Sequence, residues 1–145
     1  MKSHVENCVV NSNVEDVFEI VADIESYPDF LPWCKETKVL RESDGAMQAK
    51  ITISKGKLTH SLITSNSLFP NDRITLNLMD GPFSYLRGSW EFQRSEKGCR
   101  VIFLLDFELR NKLLGMAFAA VNHHVVTALM YAFEKRAYSL YGNSH

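Results

Sequence analysis

Cysteine is scarce: Cys8, Cys34 and Cys99 are the only three, widely spaced, with no CxxC pair. An odd, dispersed set argues against a disulfide framework and against a thiolate zinc site, and it suits a reducing cytoplasm. A charge excess is missing too. The 16 basic and 17 acidic residues leave a net charge of −1, and the longest basic run is Lys135-Arg136. No broad field attracts DNA, which is therefore not an expected partner. The N-terminal stretch MKSHVENCVV has no apolar run of the signal-peptide kind. Catalytic signatures are lacking as well, with no GxSxG, no P-loop and no GxGxxG. One stretch, Leu113 to Phe133, lacks any charged residue and is about as long as a membrane span. Asn122, His123 and His124 at its centre make it a poor one, so a helix buried on most of its circumference is expected.

What is present describes one ordinary globular domain over residues 1–145. Hydrophobic residues make up 46% and charged residues 23%. A chain of this length buries roughly 70% of its unfolded surface, enough for a core without staples. Residues 2–10 read as a strand. Asn11-Ser12-Asn13 supplies helix-capping side chains, and Val14, Val17, Phe18 and Val21 follow at helical spacing, giving a short helix over 14–23. The two prolines of residues 25–34 prevent one long helix there. Six strands come next, separated by Ser43-Asp44-Gly45, Lys55-Gly56, Pro70-Asn71-Asp72, Asp80-Gly81-Pro82 and Lys97-Gly98. Short turns imply antiparallel neighbours. A helix from about Asn111 to Tyr141 closes the chain, and only it is long enough to cover the sheet. The expected class is α+β, a curved antiparallel sheet of about seven strands around a long C-terminal helix.

The face the sheet turns inward carries Leu76, Leu78, Leu86, Trp90, Phe92, Phe103 and Phe107. The last helix faces it with Leu114, Ala117, Phe118, Val121, Val125 and Leu129. Small residues among large ones (Ala49, Gly88, Ala117, Ala128) leave room for an internal apolar site, although the same residues also suit a dry core. The aromatic, turn-forming loop at Phe30, Leu31, Pro32 and Trp33 either gates such a site or caps the core. Candidates for chemistry are poor. His123 and His124 are adjacent on a helix and point apart, so they are not an i, i+4 metal pair. His60 stands alone on a strand. Asp106 and Glu108 share a strand face opposite to the apolar set, where they are expected to point to solvent or to form salt bridges with Arg100 or Arg110. Cys34 has no paired base. No catalytic residue and no metal ligand is assigned.

Several motifs are familiar together: Tyr27-Pro28 with Phe30-Leu31-Pro32 and Cys34, Asp80-Gly81-Pro82-Phe83, Trp90 with Phe92, Asp106-Phe107, and Asn111-Lys112-Leu113. In this order the chain resembles the coenzyme Q-binding and RatA-like branch of the START-domain, polyketide cyclase-like superfamily. The resemblance runs over about residues 3–141. It implies a helix-grip fold and a site formed by the Tyr27–Trp33 loop, Trp90, Phe92 and the inner stripe of the last helix. It implies a hydrophobic small-molecule partner, ubiquinone or a related isoprenoid lipid, bound in support of respiration with no required cofactor. Transient contact with the inner membrane would accompany that role. An alternative implied by the ribosome-association toxins is inhibition through the large ribosomal subunit, with Lys35, Lys38, Lys55, Lys57, Lys112, Lys135 and Arg136 as basic contacts. A polyketide cyclase-type enzyme ranks third, because the predicted inner face offers almost no polar group to place against a substrate. No mitochondrial presequence is seen before residue 1, which fits a bacterial-type protein.

Overall fold

The computed structural model describes residues 2–31, 33–55 and 58–141, with side chains at 5–31, 33–54, 59–111 and 127–141. Strand β1 (Lys2–Val10) leads into helix α1 (Val14–Ala22) and a short 3-10 segment (Ile24–Asp29). Strands β2 (Cys34–Ser43), β3 (Ala46–Lys55), β4 (Leu58–Phe69), β5 (Arg73–Asp80), β6 (Phe83–Ser95) and β7 (Gly98–Leu109) follow, and helix α2 (Lys112–Tyr141) ends the chain. All pairings are antiparallel, in the order β1-β7-β6-β5-β4-β3-β2. This is the expected seven-stranded sheet wrapped on a long helix.

Local chemistry explains the boundaries. The Asn13 side chain accepts the Asp16 backbone N–H at 2.8 Å and starts α1. Its apolar stripe, Val14, Val17, Phe18 and Val21 with Ile20, is buried. At the β6–β7 turn Gly98 has φ 134°, and a Cβ there would stand 2.3 Å from the Val10 carbonyl oxygen. Only glycine lets this hairpin approach the end of β1. The 30-residue α2 extends about 45 Å at 1.5 Å per residue. It packs on α1, β1 and β7, and Thr127 donates to Glu6 at 3.3 Å. Among the described residues no helix is long and apolar enough to cross a membrane.

The buried core is concentrated where α1 and the end of α2 meet the sheet, around Val17, Phe18, Trp90, Phe103 and Phe133. A smaller cluster, Leu62, Leu86 and Phe107, lies toward the other end of the concave face. Asp106 stands opposite Arg87 on β6, while Arg100 donates to Asn7 and Arg110 to the Phe83 carbonyl oxygen.

Candidate functional site: an apolar cavity with a polar strip

A cavity of about 280 Å³ lies between the concave face and the helices. Strands β5 to β7 line it with Ile74, Leu76, Phe83, Leu86, Trp90, Phe103, Leu105, Phe107 and Leu109. Met47, Ile51 and Ile53 of β3 continue the wall. Val21, Ala22, Ile24, Tyr27, Leu31, Trp33 and Cys34 close one flank, with Leu129 and Phe133 of α2 above. The size approaches the lower end of small-molecule sites.

One end is shut by aromatic packing. Trp90 stacks on Phe103 at 4.2 Å between centroids, and Phe133 meets Trp90 edge-on at 5.0 Å. Tyr27 packs on Phe133 at 5.3 Å and donates its hydroxyl to the Val21 carbonyl oxygen. Burial holds that hydroxyl protonated. At the other end Ile53, His60, Phe83 and Leu109 are only half-buried.

The wall is not uniformly apolar. Strand β4 turns His60, Leu62, Thr64, Asn66 and Leu68 inward in strict alternation. Thr64 and Asn66 are 3% and 5% exposed, so both are polar groups deep in an apolar space. Asn66 Oδ1 has no hydrogen-bond partner among the described residues. The inner face is almost wholly apolar, as expected, and His60, Thr64 and Asn66 are polar exceptions on it. His60 and Asn66 are six residues apart on one strand, about 20 Å at 3.3 Å per residue. They cannot act together on one reacting atom.

Of the site residues expected from the sequence, Leu31, Trp33, Leu76, Leu86, Trp90, Phe103, Phe107 and Leu129 line the cavity. Three do not. Phe92 packs edge-to-face on Phe18 at 5.3 Å beneath α1, beyond the closed end. Phe30 packs outside, on Tyr27 and Phe133, with the Arg136 guanidinium 5.0 Å above its ring. Leu78 belongs to the Leu62–Leu86–Phe107 cluster rather than to the lining. Pro32 and the side chains of Leu114, Ala117, Phe118, Val121 and Val125 fall outside the described residues. The sequence reading missed Met47, Ile74 and Leu105, although each lies on an alternating apolar face that pointed inward.

Burial pushes the Cys34 thiol up to about 11. It is protonated at neutral pH and is not a ready nucleophile. Among the described residues no three His, Cys, Asp or Glu side chains gather as metal ligands would.

The family model for polyketide cyclase/dehydrase and lipid transport matches residues 10–134. The chain belongs to this family. Among its relatives, the ribosome association toxin RatA of Escherichia coli (strain K12) is 38% identical over 134 residues, covering 92% of this chain and 85% of that protein. The mitochondrial coenzyme Q-binding protein COQ10 homolog B of Xenopus laevis is 28% identical over 142 residues, covering 94% of this chain and 58% of that one. Among solved structures, the Zhui aromatase/cyclase from Streptomyces sp. R1128 superposes with a TM-score of 0.84 at 16% identity, over 94% of this chain and 93% of that one. That last likeness bears on the fold alone, and it shows that this fold includes enzymes.

Proposed function

We propose that the protein binds a hydrophobic small molecule between its sheet and its last helix, an isoprenoid quinone or similar lipid being the ligand class. The carrying observation is the apolar cavity of about 280 Å³, shut by Trp90, Phe103 and Phe133 and half-open near Ile53 and Phe83. Each CH₂ a ligand buries there contributes about 0.8 kcal/mol. The family's lipid-transport description and the coenzyme Q-binding relative support the same reading. Such a role needs no catalytic group and no cofactor. The wide separation of His60 and Asn66 argues against acid–base chemistry on a bound polyketide. The test is organic extraction of natively purified protein followed by mass spectrometry for prenylquinones, beside the Phe107→Asp variant. Near-stoichiometric quinone in the wild type and none in the folded variant is expected. Unchanged retention in Phe107→Asp would sink this placement.

A second reading, association with the large ribosomal subunit, is favoured by the 38% identity to RatA. It uses the surface. Lys35, Lys38 and Lys135 are exposed and Arg136 is half-exposed, while the side chains of Lys55, Lys57 and Lys112 lie outside the described residues. Cosedimentation with the large subunit that weakens steeply with salt is the expected behaviour. Absence of cosedimentation at low salt counts against it. The two roles are compatible, since one uses the interior and the other the surface.

A further inference from the structure

An amide oxygen buried without a partner destabilises a fold, and folded chains rarely keep one. Asn66 is such a group, and its surroundings explain why no neighbour serves it. Its cross-strand partners on the inner face are Met47 on β3 and Leu76 on β5, neither of which carries a hydrogen-bonding side chain of useful strength. The residue is 5% exposed, faces the cavity, and has Oδ1 unpartnered among the described residues. His60, the other strongly polar group on this wall, stands half-buried at the open end, where water reaches it.

We propose that Asn66 anchors the polar end of the ligand, taking a single oxygen function deep in the cavity while the apolar remainder points toward Ile53 and Phe83. This rests on the ligand-binding reading above and adds to it a ligand class and an orientation. The ligand is an amphiphile with one hydroxyl or carbonyl at one end, and it enters polar end first. Both oxygens suit the site, because turning the amide by 180° exchanges an acceptor for a donor. A hydroxyl donates to Oδ1; a carbonyl accepts from Nδ2. Thr64, one step along the same face and 3% exposed, adds a second polar neighbour.

The test uses three probes of one ring system, naphthalene, 2-naphthol and 2-acetonaphthone, titrated into the full chain and into Asn66→Leu, which keeps the shape and removes the polarity. The affinity ratio of each oxygenated probe to naphthalene should fall about tenfold in the variant, the usual weight of a buried hydrogen bond. Whichever probe loses more identifies the hydroxyl or the carbonyl as the preferred function. In the wild type, the Asn66 side-chain amide resonances should shift differently with 2-naphthol than with naphthalene, whose ring current is shared by both probes. This readout needs no variant and decides the matter if Asn66→Leu does not fold. Ratios unchanged in a folded variant, or amide signals indifferent to the oxygen, overturn the anchor and leave the cavity reading intact. Failure of every probe to bind the wild type overturns both.

Discussion

At one end of the cavity, Phe103, Trp90, Phe133 and Tyr27 form a continuous aromatic contact, each ring buried and in touch with the next. At the other, Leu62, Leu86 and Phe107 form a small cluster fringed by half-buried Ile53, Phe83 and Leu109. Both ends use the same strands and the same alternation. Among the described residues, the difference lies in the helices packed on the first end. Helix α1 and the last turns of α2 press on the first end and complete its packing, as the Phe18–Phe92 and Tyr27–Phe133 contacts show. Leu62, Leu86 and Phe107 at the second end border the cavity, so they face a void as well as one another. Among the described residues, tight packing is concentrated where α1 and the last turns of α2 press, and the cavity extends toward the other cluster.

The largest effect that could break this contrast is a pair of truncations. Trp90→Ala should destabilise by about 4 kcal/mol, because a tightly packed site cannot collapse around the hole. Phe107→Ala should cost about 2.5 kcal/mol, close to the transfer term alone, since part of its ring already faces empty space. Urea denaturation of both variants measures the difference. Equal losses would mean that the two ends are packed alike and that the cavity is closed in solution.

A smaller effect isolates a buried hydroxyl at the closed end. Tyr27→Phe removes the hydrogen bond to the Val21 carbonyl and leaves the ring in place against Phe133. A loss of about 1 kcal/mol is expected, with ligand retention unchanged. If ligand retention falls instead, the closed end takes part in binding and the division of labour between the ends is wrong.

How much of this was legible in the sequence follows from the same contrast. Strand alternation names the face a residue shares, so Trp90, Phe103 and Phe107 were read correctly as inward. It does not say how far along the strand a helix covers that face. Phe92 shares Trp90's face yet lies under α1, a fact set by where the helix crosses and not by period. Phe30 failed for another reason: the end of the 3-10 segment turns it outward onto Phe133 and Arg136, and a proline-rich turn has no periodicity to read. Strand β4 was the hardest. Both of its faces are rich in polar residues, with Thr59, Ser61, Ser65 and Ser67 outward against His60, Thr64 and Asn66 inward. Only its register with Met47, Ala49, Ile51 and Ile53 on β3 decides which set is inside. The polar anchor was therefore invisible until pairing was known.

The finest probe of the contrast is Cys34, which pairs across β2–β3 with Ile53 at the open end and is nonetheless buried. Its thiol sits at about 11 against an ordinary 9.0, and desolvation is the cause. At pH 8 roughly one molecule in a thousand carries the thiolate. Alkylation by iodoacetamide, measured on a variant keeping only this cysteine, should accelerate about tenfold per pH unit up to that value. The sign for stability follows from linkage. The folded pKa lies above the unfolded one, so the contribution of Cys34 is fully present below pH 9 and is lost as pH rises toward 11, because the unfolded chain releases the proton first. Removing the thiol should flatten the alkaline fall in Tm over that window. An apolar ligand in the cavity should slow alkylation further by excluding water and reagent from the same wall. If Cys34 instead reacts at pH 8 like a free thiol, with or without ligand, water already reaches the flank of the open end, and its boundary lies deeper, at Leu62 and Phe107.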